Sequence, residues 1–415
     1  MLTIEVGPPV SGGRCLARHD GRVVFVRGAL PGESIEARVS GHGRGGAFLW
    51  ADMVDVLIPS LDRVVPPCPV AGVCGGCDWQ HTTLQAQRTI KAAVIIDALR
   101  RTGGIDEVAG VALSDAVTVE PMDDGDGFGW RTRMRFATND AGQLGLRRHE
   151  SHELIEAAQC PLACEPIRQV TALVPLWPPN CEVEFCSSAT GDMAVTMTPT
   201  PNAHDERIAE LTAELPARIS ITGLRGDGSV TETAACRNWR VRADGFWQVH
   251  PRAAQTLVDT VTDLAQPQPG QHVVDLYAGC GLFSGVLGQA VGAHGQVDAV
   301  EGDAAAAQDC RDNLASLPQV TIHHAPVQTW LKSATVAPNA LFVLDPPRTG
   351  AGLEVVDLVA GRSPRAVIYI ACDPVALARD AAGFARHGYQ MQRPRSLDMF
   401  PMTKHVECVA LLVRE

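Results

Sequence analysis

From Phe246 onward the chain repeats one unit: a short apolar run, a turn, a helical segment and another apolar run. Runs at 272–276, 297–300, 341–344 and 366–370 alternate with helical stretches. Apolar strands that recur between helices fit a parallel sheet with helices on both faces. A sheet of that kind binds ligands outside the carboxyl ends of its strands. Asp275, Glu301, Asp345 and Cys372 each lie at such an end or one residue beyond it. Core packing does not call for ionisable or nucleophilic side chains there, so these four are candidates for a site.

The turns between the runs narrow the chemistry. Ala278-Gly279-Cys280-Gly281 follows the first run and opens a helix at Leu282, and its glycines let a ligand approach the backbone closely. The spacing is not that of a dinucleotide fingerprint, because Ser284 carries a side chain where a glycine would stand. Glu301 lies about 20 residues further on, where a carboxylate accepts hydrogen bonds from both hydroxyls of a ribose. Turn and acid together predict an adenosine-bearing cofactor, S-adenosylmethionine ahead of a nicotinamide dinucleotide.

Asp345-Pro346-Pro347-Arg348 closes the run at 341–344. Amino-group methyltransferases carry an aromatic residue where this chain has Arg348, so the target is expected to be a ring carbon. Carbon 5 of uracil is a poor nucleophile until a thiolate adds to carbon 6, after which carbon 5 can attack an activated methyl and a base must remove its proton. Cys372, in Tyr369-Ile370-Ala371-Cys372-Asp373-Pro374, supplies the thiol. Glu407, set among apolar residues in Val406-Glu407-Cys408-Val409, supplies a carboxylate that is costly to bury without a purpose.

Upstream, residues 1–58 alternate short β-rich runs with turn clusters such as His19-Asp20-Gly21, the pattern of a small β-barrel. It serves either a structural or a nucleic-acid-binding purpose. Cys68, Cys74 and Cys77 form C-x5-C-x2-C with glycines between them. Such a loop can wrap a metal centre with a fourth ligand from elsewhere, and its spacing fits zinc or an iron–sulfur cluster. A helix is expected over 82–101, strands around 131–138 and 181–198, and a helix at 204–215.

The 415 residues, 46% hydrophobic and 20% charged, predict a globular chain of two or three domains. No apolar stretch reaches the ~18 residues of a membrane span, and the start lacks the basic and apolar regions of an export signal, so the protein is expected in the cytoplasm. Thirteen cysteines in such a chain point to thiols, metal ligands or catalysis rather than disulfides. The net charge of −12 repels a polyanion, so nucleic-acid binding must use local basic patches. Arg131, Arg133, Arg135, Arg147 and Arg148 form one cluster; Arg379, Arg386, Arg393, Arg395 and Lys404 form another.

Taken in order, these motifs resemble the bacterial RNA uracil-C5 methyltransferases. Cys68-Pro69, Cys74-Gly75-Gly76-Cys77-Asp78-Trp79-Gln80-His81, Gln87 and Lys91 resemble that family's iron–sulfur segment. Phe246-Trp247-Gln248-Val249-His250, Asp275 to Gly281, Asp345 to Arg348, Tyr369 to Pro374 and His405-Val406-Glu407 resemble its catalytic motifs, and Gly21 to Glu33 resembles its TRAM domain. The resemblance implies an α/β protein with a Rossmann-like class I methyltransferase domain at 246–415. It further implies a TRAM or OB-like barrel at 1–58 and a small α+β central domain at 59–245 carrying a 4Fe-4S cluster.

It implies Cys160 as the fourth cluster ligand beside Cys68, Cys74 and Cys77, with Cys164 the nearby competitor. Gln248, Tyr277, Glu301 and Asp345 would bind S-adenosylmethionine, Cys372 would be the nucleophile and Glu407 the proton acceptor. The implied partner is RNA, 23S rRNA before tRNA, and the implied state is a monomer. The chain departs from the family at His250 and Asp373, where asparagine is common, and at Leu282, where Gly-Asn commonly follows the turn.

Overall fold

The computed structural model describes residues 1–199 and 206–414. Strands Leu2–Val10, Arg14–His19, Arg22–Arg27, Ser34–His42 and Phe48–Ile58 close into a barrel, with the fifth strand lying between the third and fourth. Alternation along the strands explains its inside and outside. Val24, Val26, Leu49 and Ala51 are buried. Phe25, Phe48 and Trp50 lie on the other face as a half-buried ring cluster with centroids 5.1–5.2 Å apart. Arg14 lies over Trp50 at 4.8 Å.

A six-stranded sheet occupies the middle of the chain, in the order Leu154–Glu156, Leu144–Arg147, Arg133–Thr138, Glu182–Ser187, Met193–Thr198, Ile219–Ile221. Phe136, Trp177, Val183, Phe185 and Leu211 are buried together in its core. The helix expected at 204–215 runs over Glu206–Glu214, and positions 204–205 lie outside the described residues.

The C-terminal sheet has eight strands, in the order Val320–His324, Gln296–Glu301, His272–Leu276, Leu341–Leu344, Ala366–Ala371, Glu407–Arg414, Tyr389–Asp398, Val119–Pro121. The first five are mutually parallel and Glu407–Arg414 runs antiparallel beside Ala366–Ala371. Helices such as Leu282–Val291 and Pro374–Ala385 connect the strands, and both faces of the sheet are buried in apolar cores.

The segment upstream of 246 also enters this body. Val119–Pro121 is its edge strand, parallel to Ser396–Asp398. The helix Leu84–Arg101 starts at Thr83, whose side chain accepts the Ala86 N–H, and buries Ile95, Ala98 and Leu99 in the same core. Each large aliphatic side chain so buried stabilises by roughly 1.5–3 kcal/mol.

Most members of the two arginine clusters that the sequence offers as basic patches are paired within the protein. Arg133 is buried and donates to the carbonyls of Arg242, Ala243 and Gly245. Arg135 pairs with Glu184 directly opposite it on the next strand, Arg147 with Glu182, and Arg148 with Glu153. Near the C-terminus Arg379 pairs with Asp380, Arg393 with Asp263 and Arg395 with Glu120. Linear clustering showed the cations but not the carboxylates that the sheets bring across from them. No helix among the described residues is long and apolar enough to cross a membrane.

Candidate active site

A cavity of about 1920 Å³ runs along the carboxyl ends of the parallel strands, lined by Gln248, Tyr277, Glu301, Asp345, Cys372, Glu407, Cys68, Cys74, Cys77 and Cys160 but not by the strand-end candidate Asp275. At one side lies the glycine turn. Tyr277, Gly279 and Gly281 all have positive φ (66°, 55° and 98°), which bends the backbone sharply before the helix Leu282–Val291. A Cβ on Gly281 would lie 2.8 Å from Cys310 Sγ and from Leu314. Glu301 accepts the Gly279 N–H at 2.8 Å and the Asp303 N–H at 2.7 Å, so the acid and the turn are one unit.

Beneath the turn, Asp275 is fully buried and accepts a hydrogen bond from Ser284 Oγ. Burial pushes its pKa up to about 7, with the neighbouring Asp345 adding to the rise. Gln248 is held from the other side, because Thr132 donates both its N–H and its hydroxyl to the Val249 carbonyl at 2.9 Å. Arg133 fixes the preceding loop, which leaves Phe246 72% exposed on the cavity wall.

The next group is set by strand register. Ala371 pairs with Cys408, so one further step puts Cys372 opposite Glu407, and residues opposite each other point to the same face. Asp345 follows Leu344 on the neighbouring strand, which pairs with Tyr369. Its loop is braced by the buried Asp380, whose Oδ2 accepts the N–H groups of Ala351 and Gly352 and the Tyr369 hydroxyl.

Electrostatics couple these side chains. Burial raises Glu407 well above the ordinary carboxylate range, the nearby Asp345 raises it further, and Arg348 opposes both. Burial pushes Asp345 up to about 7. The Cys372 thiol is pushed up to about 11, by burial first and by Glu407 second, against the pull of Arg348. At neutral pH the nucleophile candidate thus keeps its proton, beside two carboxyl groups poised to exchange one.

The profile of the tRNA (uracil-5-)-methyltransferase family matches residues 331–415. Over nearly its whole length the chain is similar to an uncharacterized RNA methyltransferase of Streptomyces coelicolor, at 41% identity over 99% of this chain and 92% of the relative. It is also similar to the 23S rRNA (uracil(1939)-C(5))-methyltransferase RlmD of Shewanella sp. (strain ANA-3), at 30% identity over 96% of this chain and 92% of the relative. The chain belongs to the RNA uracil-C5 methyltransferase family. It is accordingly an enzyme whose methyl donor is S-adenosylmethionine. Its fold is similar to that of Pyrococcus abyssi tRNA (uracil-54, C5)-methyltransferase, solved in complex with S-adenosyl-L-homocysteine, with a TM-score of 0.74 and 20% identity over 99% of each chain.

Against that family background each departure has a local role. Asp373 caps the helix Pro374–Ala385, accepting the N–H groups of Val375 and Ala376 at 2.9 Å, a task asparagine also performs. His250 is buried, stacks on Trp130 at 5.9 Å, and burial lowers its pKa. Leu282 is a buried core residue at the helix start.

The four cysteines line the cavity near one another, close enough that Cys68, Cys74 and Cys160 each act on the Cys77 thiol. Among the described residues no three His, Cys, Asp or Glu side chains are grouped to hold a metal ion. Their surroundings nevertheless suit anionic sulfur. Gly76 N–H points at Cys74 Sγ at 3.4 Å, Gln80 Nε2 donates to Cys77 Sγ at 3.1 Å, and backbone N–H groups of Leu162 and Ala163 point at Cys160. Burial pushes Cys77 up to about 12, so a bare thiol there stays protonated. The Arg131 guanidinium lies close to Cys160 and Cys77. Cys164 does not line the cavity; it caps the helix Glu165–Leu173.

Sequence reasoning passed over Arg348 as a cation acting on Cys372 and Glu407. It also left Gln87 and Lys91 without a role. The signal for the latter was present in their spacing of four on one helix.

Proposed function

We propose that this enzyme methylates carbon 5 of a uridine in 23S rRNA through a covalent adduct with Cys372. The supporting observation is the register Ala371–Cys408, one step beyond which Cys372 falls opposite Glu407, whose charge acts on its thiol, with both residues and Asp345 lining the cavity that also contains the glycine turn. S-adenosylmethionine supplies the activated methyl, and Gln248, Tyr277, Glu301 and Asp345 are the residues that would hold it. Loss of the Cys372 proton to solvent, which the Arg348 cation favours, gives the thiolate that adds to carbon 6, moving the carbon 5–carbon 6 π pair onto the O4 enolate. Carbon 5 then bonds to the methyl, and the donor departs as a neutral thioether. The Glu407 carboxylate takes the carbon-5 proton; the carbon 5–carbon 6 double bond re-forms and the Cys372 thiolate is expelled. Arg348 stabilises the thiolate at both ends of this cycle.

The RNA partner class comes from the family, and the aromatic cluster of the barrel supports it. Phe25, Phe48 and Trp50 with Arg14 offer ring faces and a cation on which bases can stack. Phe246, exposed on the cavity wall, fits an extruded base in the same way. The choice of 23S rRNA follows the similarity to RlmD along nearly the full chain; tRNA is the substrate of the Pyrococcus abyssi neighbour. Cys68, Cys74, Cys77 and Cys160 would hold a 4Fe-4S cluster, whose thiolate ligands bind separate irons and so need not meet at one point. The cluster would order its segment, since methyl transfer needs no electron.

The experiment combines nucleoside mass spectrometry of rRNA and tRNA from a strain lacking the protein with trapping on 5-fluorouridine RNA. Loss of 5-methyluridine from 23S rRNA, a covalent complex in the parent but not in Cys372→Ala, and a methylated RNA–protein adduct accumulating in Glu407→Gln are expected. Loss confined to tRNA would replace the substrate. A stable adduct in Cys372→Ala, or normal turnover of Glu407→Gln, would overturn the mechanism.

A further inference from the structure

The loop 399–406 joins the strand Tyr389–Asp398 to the strand that begins with Glu407. It has no helix or strand of its own, Met402 within it has a φ of 66°, and beyond the turn in which Thr403 donates to the Phe400 carbonyl most of its polar contacts come from outside. The helix Leu84–Arg101 and the segment just after Cys77 supply them. Gln87 and Lys91 are one helical turn apart, on one face, and both are buried, at 0% and 2% exposure.

Every polar atom of the two side chains that the structure engages is spent on this junction. Gln87 Nε2 donates to the carbonyls of Trp79 and Thr82 at 3.1 Å, while its Oε1 accepts the Met402 N–H at 2.8 Å. Lys91 Nζ reaches Asp398 Oδ1 at 2.6 Å and the Phe400 carbonyl at 3.0 Å. The cysteine segment adds its own bonds. The N–H groups of Asp78 and Trp79 both donate to the Met402 carbonyl, at 2.9 and 3.0 Å, and Asp78 Oδ2 accepts the Lys404 N–H at 2.9 Å. The loop is therefore pinned at 400, 402 and 404, and the strand end that leads into it at 398.

A buried Lys91–Asp398 pair is a poor device for stability, because two well-packed apolar side chains in its place are often as stable or more so. What it does provide is a fixed position for the backbone leading into Glu407. We infer that Gln87 and Lys91 are positioning residues for the proton-removal step, coupling the cysteine segment to the placement of Glu407. This rests on Glu407 being the base. A displacement of about 1 Å at a reacting group can cost roughly 10²-fold in rate.

The test uses full-length protein carrying the paired change Lys91→Met with Asp398→Leu, which leaves no charge stranded, and separately Gln87→Leu. Each is scored for S-adenosylhomocysteine binding, adduct formation on 5-fluorouridine RNA, steady-state kinetics, and the isotope effect with RNA deuterated at carbon 5 of uridine. Expected are parent-like cofactor binding and adduct formation, a fall in kcat of about 10²-fold with little change in KM, and a deuterium isotope effect larger than in the parent.

A variant that binds cofactor and turns over at the parental rate would overturn the inference. So would a loss that arises before the adduct forms, or a slowed variant whose isotope effect is unchanged. Gln87→Glu, which keeps the acceptor for Met402 but loses the amide donors, covers the case in which the other variants fail to fold; it should give a smaller fall in kcat with the same isotope signature. Accumulation of methylated adduct in Glu407→Gln but not in these variants would remove the clamp and leave the base in place. Absence of accumulation in Glu407→Gln would remove the base itself.

Discussion

Cys372, the proposed nucleophile, holds its proton tightly, with a pKa pushed up to about 11 by burial and by Glu407. Reactivity toward a small alkylating agent should therefore rise with pH, about tenfold per unit, and level off as pH passes that value, where half of the thiol is ionised. Arg348 favours the thiolate, so removing its charge moves the pKa further up. In Arg348→Gln the alkylation rate of Cys372 is expected to be lower at every pH below about 11, with the profile displaced to higher pH. Iodoacetamide labelling followed by peptide mass spectrometry measures both. A profile in Arg348→Gln that overlays the parent would show that the guanidinium does not act on the sulfur.

The element proposed to cradle the adenosine is the turn between the strand His272–Leu276 and the helix Leu282–Val291. An alanine at Gly281 would have to adopt φ near 98° and place a methyl 2.8 Å from Cys310 and Leu314. Left-handed backbone alone costs about 1–2 kcal/mol for a non-glycine residue, roughly tenfold in an equilibrium constant. Gly281→Ala should thus weaken S-adenosylhomocysteine binding by tenfold or more in calorimetry; unchanged affinity would mean the turn is not the cofactor cradle.

This same turn, its acid and the strand ends of Asp345 and Cys372 were legible in the sequence, because packing alone rarely ends an all-apolar run on an ionisable residue. The edge strand Val119–Pro121 was not legible. Three residues ending in proline carry no period, and only the neighbour at Ser396–Asp398 makes them a strand. The pairing of Arg135 with Glu184 was equally invisible, since the two are 49 positions apart.

At the scale of the molecule, one cavity is lined by the four cysteines, the glycine turn, Cys372 and Glu407. The proposed 4Fe-4S cluster on those four cysteines should yield, from anaerobic purification, brown protein with about four irons and four sulfides per chain. Cys77→Ser should lower both counts together. Stoichiometric zinc without sulfide would identify a mononuclear centre and remove the cluster.

The strand order of the C-terminal sheet also bears on how the protein is made. Its outermost strand, Val119–Pro121, leaves the ribosome long before Tyr389–Asp398, against which it must lie, and the helix Leu84–Arg101 likewise waits for partners near the far end of the chain. The catalytic body therefore cannot be completed during synthesis. A gene fragment beginning at Phe246 would encode a sheet whose last strand offers bare N–H and C=O groups to any passing chain, the usual starting point of edge-to-edge aggregation.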